Sequence, residues 1–176
     1  EEAESVAGSS RCLLLALRHA ELGVIVDGLA DPLEPVVVVA LSSTCKGLRT
    51  PLQAALEVLQ ERHARAVALC RKVTTTCAKL RDAEKLNWHQ KGLTADDMAT
   101  LAIILRTNRL PRLQKLFLGA IGDAGVQALC EGMGRGDVPR RRRLGLLGNT
   151  IECGPARAEA LAAALGRGAM PKLEAL

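Results

Sequence analysis

Aromatic side chains are nearly missing from this chain: one Trp, one Phe and no Tyr in 176 residues. A core must then be built from Leu, Ala, Val and Ile, which suits helices and stacked repeats. Nucleic-acid bases would find almost nothing to stack on, which disfavours nucleic acid as a ligand. Long apolar runs are missing too. The longest, Val36 to Leu41, falls far short of the roughly 20 residues needed to cross a bilayer, so no membrane span is expected. Six Cys are present (Cys12, Cys45, Cys70, Cys77, Cys130 and Cys153), but none forms C-x-x-C or has a His at ligand spacing. That argues against zinc. They read as reduced structural thiols, which places the chain inside the cell in a reducing compartment, cytoplasm or nucleus. A processed organellar form stays open, because the chain begins with Glu1 and not Met. His19, His63 and His89 lie in three separate elements, and no Ser or Cys has a recognisable base partner. No enzyme and no cofactor are expected.

What is present is mostly helical pattern. Lys and Arg number 24 against 19 Asp and Glu, a net charge of +5 that does not by itself imply nucleic acid. Residues 1–10 are small and polar and read as a flexible tail. Residues 11–80 read as a helical module. Asp31-Pro32 and Pro35 break the chain. The run from Val36 is read as helix because it continues into the following residues without alternation, with Val37, Ala40, Leu41, Cys45 and Leu48 on one face. A long helix is predicted over Pro51 to Val73. Leu52, Leu56, Leu59, His63, Ala66, Cys70 and Val73 step by four and three along its seam, and Pro51 is placed in its first turn.

The C-terminal half repeats itself. Leu110 to Asp137 and Val138 to Ala169 align, and a third copy begins at Met170. The units open on Pro111, Pro139 and Pro171. The complete units carry Leu116 and Leu118, then Leu144 and Leu146, each followed by a lone Ile (Ile121, Ile151), a Leu/Ala-rich stretch and Gly-Arg-Gly. A degraded earlier copy has Leu86 and Trp88, with Leu93 and Leu101 at the matching places. Strands are predicted near 86–88, 115–118, 144–147 and 173–176, and helices near 95–106, 123–133 and 156–165. Asp123 is placed to cap its helix, and Asp96 and Asp97 are first-turn residues after Thr94. Gly132 and its neighbours are read as C-cap turns.

These units resemble the ribonuclease-inhibitor-like class of leucine-rich repeat. Leu144, Leu146, Asn149 and Ile151, then Ala160, Leu161, Ala164 and Leu165, match it best. The resemblance implies an α/β fold: a short leucine-rich-repeat solenoid of parallel strands backed by helices, occupying 81–176, with its last repeat truncated and covered by further repeats or a partner. The pattern departs at Arg141, where the other copies have Leu, and around Pro155.

The N-terminal module resembles an F-box through Leu22, Ile25, Leu29, Asp31-Pro32, Ala40-Leu41, Cys45 and Leu48. That resemblance implies Leu22, Ile25, Pro32, Leu41 and Leu48 as contacts for a Skp-type adaptor, and a substrate receptor of an SCF-type ubiquitin ligase. The usual Leu-Pro opening is absent, and a generic helix pair gives much of the same pattern. The leading expectation is therefore a non-enzymatic protein–protein interaction module, a scaffold or accessory subunit. Repeat register points Lys85, Asn87, His89, Lys115, Phe117, Arg143 and Leu147 outward on the concave strand face, with Phe117 as the anchor. Arg140, Arg141 and Arg142 are either a basic contact or a solvated strand entrance, since adjacent strand side chains split between two faces.

Overall fold

The computed structural model describes residue 25 and residues 28–44, 46–133, 143–145 and 155–168. In chain order the elements are α1 (Val36–Thr44), α2 (Lys46–Lys72), α3 (Cys77–Asp82), β1 (Lys85–Trp88), α4 (Ala95–Arg106), β2 (Lys115–Leu118), α5 (Gly122–Gly132), β3 (Arg143–Gly145) and α6 (Pro155–Gly166). The protein is mixed α/β. Three strands pair parallel in the order β1-β2-β3, and a helix follows each.

The contacts divide the chain into two compact units. One is Glu1–Ala30 with Val36–Val58, the other Asp31–Pro35 with Leu59–Leu176. Sequence pattern alone assigns all of α2 to the N-terminal module, but the second half of this helix packs with the sheet. Ala66, Leu69, Cys70 and Val73 belong to the same core cluster as the strand leucines. Of the predicted seam, Leu52, Leu59, Ala66, Cys70 and Val73 are buried, while Leu56 and His63 are half-buried. The helix starts at Lys46, a turn earlier than the Pro rule suggests. Pro51 therefore lies inside it and removes one hydrogen bond, that to the Gly47 carbonyl.

In the smaller unit, α1 is helical as expected, but its buried side differs. Val38 is fully buried, while Val37 is 53% exposed and Val36 62%. Ala40 is exposed as well. An all-apolar run has no polar residues to mark its outer face, so periodicity cannot say which Val turns inward.

The larger unit is built in layers. Strands β1 and β2 point apolar side chains inward: Leu86 and Trp88 from β1, Leu116 and Leu118 from β2, all buried. Helices α4 and α5 cover them with Met98, Leu101, Ile104, Leu105, Val126 and Leu129. Helix α4 begins with a capping box. The Thr94 hydroxyl accepts the Asp97 N–H, and the Asp97 carboxylate accepts the Thr94 N–H at 2.8 Å. Its last turn is closed by the Thr107 N–H, which reaches the Ile103 carbonyl at 3.0 Å.

Two glycine and cap expectations need correction. Helix α5 starts at Gly122, with Ile121 at the cap and no side-chain cap bond. Asp123 is therefore a first-turn residue that meets the helix dipole, not a cap. Gly132 is the last residue of α5 and no left-handed turn. A Cβ placed there would lie 2.4 Å from the Cβ of Ala102 on α4, so it is the close approach of two helices that requires glycine. The left-handed turn glycine after α6 is Gly168, at φ 72°. The fourth strand expected near 173–176 lies outside the described residues, as do 146 and 147.

Candidate functional site

The outer sheet face follows from strand alternation. With Leu86, Trp88, Leu116 and Leu118 inward, β1 turns Lys85 and Asn87 out and β2 turns out Lys115 and Phe117. The first three are exposed and Phe117 is half-buried. Register stacks them: Lys85, Lys115 and Arg143 are partners across the three strands, and so are Asn87, Phe117 and Gly145. The Lys85 ammonium lies over the Phe117 ring, 5.3 Å from its centre, a cation–π contact worth about 0.5–1 kcal/mol at an exposed site.

Beyond β1 the chain turns sharply. Gln90 and Gly92 take positive φ, 54° and 62°, and His89 donates its backbone N–H to the Asn87 side-chain oxygen at 3.4 Å. This turn puts His89 beside an open cavity of about 300 Å³ lined by Asn87, His89, Phe117, Leu118 and Gly119. Five of the residues expected on this face, Lys85, Asn87, His89, Lys115 and Phe117, are thus on one surface. Arg143 holds its register position in β3. Leu147 lies outside the described residues, and so do Arg140, Arg141 and Arg142.

A second open groove, about 360 Å³, is lined by Gln127, Cys130, Glu131, Glu159, Ala160, Ala163 and Arg167. The Arg167 guanidinium donates to the Cys130 carbonyl at 2.9 Å. It thereby ties the end of α6 to α5.

Of the residues implied as adaptor contacts, Ile25 is helical and half-buried. Leu41 and Leu48 lie in α1 and α2, and Leu22 is outside the described residues. Pro32 is buried in the larger unit, where its carbonyl accepts the His63 Nδ1–H at 2.8 Å. The Asp31-Pro32 break is an anchored turn. One Asp31 oxygen accepts the Leu33 N–H at 2.8 Å, and the other pairs with Arg81. Arg81 also reaches Glu34. That hydrogen bond to Glu34, with the nearby Asp31 charge, outweighs burial and raises the guanidinium pKa further.

Sequence pattern misses this ion cluster, because its members are about fifty residues apart. It also misses α3, only six residues long, and the thiol pair that α3 creates. Cys70 Sγ and Cys77 Sγ are 3.7 Å apart. Burial, with the neighbouring Cys77, pushes the Cys70 pKa up to about 12, so Cys70 stays a protonated thiol at neutral pH.

Among the described residues no group of three His, Cys, Asp or Glu side chains is placed to hold a metal ion. Among them, also, no helix is long and apolar enough to cross a membrane. Comparison with protein-family models, curated proteins and solved structures finds no match for this chain.

Proposed function

We propose that this chain is a protein–protein interaction module. Its strands and helices are read as units of a short leucine-rich-repeat solenoid of the ribonuclease-inhibitor-like class, and the outer strand face is its binding surface. The observation that carries the reading is the segregation of residues on β1 and β2: every inward position is a buried Leu or Trp, and the outward ones are two lysines, an Asn and the chain's single Phe, the last two lining a cavity. An aromatic left half-exposed on a rigid sheet, rimmed by polar groups, is the usual composition of a binding centre. A leucine-rich repeat supplies the rest, because helices behind each strand hold that face rigid while its residues are free to vary. The chain acts here as a scaffold or accessory subunit.

The test is affinity capture with the full chain immobilised, comparing wild type, Phe117→Ala and Gln127→Ala in extract from its native cells. A partner retained by wild type and by Gln127→Ala, but lost by Phe117→Ala, is the expected result. Equal retention by all three rejects this face as the binding surface.

A further inference from the structure

We infer that the partner segment is acidic: a stretch of carboxylates around one apolar side chain, the carboxylates lying along Lys85, Lys115 and Arg143 and the apolar group seated in the cavity beside Phe117. This rests on the protein-binding reading above and adds the chemistry of what is bound.

The cations are the first argument. Lys85, Lys115 and Arg143 stand in register on three adjacent strands. Neighbouring strands are about 4.8 Å apart, and like charges directly opposite each other destabilise a sheet. Among the described residues, no carboxylate pairs with Lys85 or Lys115. The nearest acid in sequence, Glu84, accepts the Gln114 and Lys115 N–H groups with its backbone carbonyl and forms no ion pair with either lysine. Some other cations of the same unit are paired: Lys72 with Asp97 at 2.5 Å, and Arg81 with Asp31 and Glu34. Two lysines without a carboxylate partner among the described residues, with a third cationic residue at the next register position, leave a charge on one open face that an anionic partner would relieve.

The cavity is the second argument. Two residues along the same strands Asn87 and Phe117 stand in register, and with His89, Leu118 and Gly119 they line about 300 Å³, the apolar part of it supplied by Phe117, Leu118 and Gly119. That is the lower end of ligand-pocket volumes, which suits one inserted side chain better than a small molecule. The Lys85 ammonium over Phe117 joins the two halves, so a single segment can engage both. Nucleic acid would supply anions as well, but a face with one aromatic offers no run of stacking platforms.

The experiment measures fluorescence anisotropy with the full chain and labelled peptides of about twelve residues. One peptide is Glu-rich with a single central Leu. A second has Gln in place of Glu, and a third has Ser in place of Leu. A single-stranded oligonucleotide of similar length is the fourth probe. The Glu/Leu peptide is expected to bind at least ~10-fold tighter than the Gln version, and its affinity should fall as salt rises. Lys85→Glu and Lys115→Glu should each weaken it ~5-fold with an unchanged thermal melt, and Phe117→Ala and the Leu-to-Ser peptide should each do the same. Equal binding of the Glu and Gln peptides, indifference to both lysine reversals, or tighter binding of the oligonucleotide overturns the inference. Should that happen while Phe117→Ala still strips the partner in affinity capture, the protein-binding reading stands and only the acidic chemistry is wrong. If capture is also indifferent to Phe117, both fail.

Discussion

The two faces of the sheet are made by alternate residues of the same four-residue strands, yet they follow opposite rules. Inside, Leu86, Trp88, Leu116 and Leu118 are each at most 7% exposed and touch the helices of the larger unit. Outside, Lys85, Asn87 and Lys115 face water, and Phe117 is half-covered. The inner residues could be exchanged only at a cost in packing. The outer ones contribute little to holding the strands together, and their in-register lysines work against pairing. Packing thus rests on the inner residues and the proposed recognition on residues one position away in the chain, and substitutions on each face should separate the two.

The largest effect is expected inside. Trp88→Ala should lower unfolding free energy by about 3–5 kcal/mol, read as a fall in the urea midpoint. A loss under about 1 kcal/mol would mean that the inner face is not a core. Gly132→Ala comes next. Its new methyl meets the Ala102 Cβ at 2.4 Å, so one helix must shift, at about 1–3 kcal/mol. The double variant with Ala102→Gly should recover most of that loss, and no recovery would contradict the contact.

Thr94→Ala should cost about 1 kcal/mol by removing a cap of α4, measured by the same urea titration. The cap also makes stability depend on acid. Burial tends to raise the Asp97 pKa, but the hydrogen bonds from Lys72 and Thr94 outweigh it and hold the carboxyl below its ordinary value. A group depressed in the folded state adds stability above its unfolded pKa, near 3.8. That contribution is lost as pH falls through the lower, folded value. The loss on the acid side should be shallower in Asp97→Asn than in wild type, and parallel curves would refute the assignment.

The smallest effect on stability belongs to the outer face. Lys115→Glu should move the urea midpoint by no more than about 0.5 kcal/mol equivalent, while changing what the face binds. A large destabilisation would show that the two faces are not separate in the way described.

Much of this was legible in the chain. Alternation in KLNW and KLFL, with large apolar residues two apart, names the inward and outward residues of β1 and β2, because a strand has no freedom to do otherwise once one face is buried. Thr94 with Asp97 three residues on names the start of α4. Other features escape for physical reasons. The Val36–Thr44 run carries no polar residue in its first turns to mark an outer side. Helix α3 is too short to show a period. Gly132 has the composition of a helix-ending turn, and only the approach of Ala102 reveals a packing glycine. The cavity beside Phe117 depends on the turn at Gln90, whose positive φ no residue type announces. The cation column is visible only once register is known, since Lys85 and Lys115 are about 30 residues apart in the chain.

The most direct measurement of the binding claim is site-specific photocrosslinking. A photoreactive phenylalanine is placed at position 117 on the outer face, or at Ala124, an exposed position on α5, and the full chain is irradiated in extract from its native cells. The expected result is a discrete protein adduct from position 117 and none from position 124. No adduct from 117, or the same adducts in equal yield from both positions, would contradict the claim that the outer strand face is where this protein meets its partner.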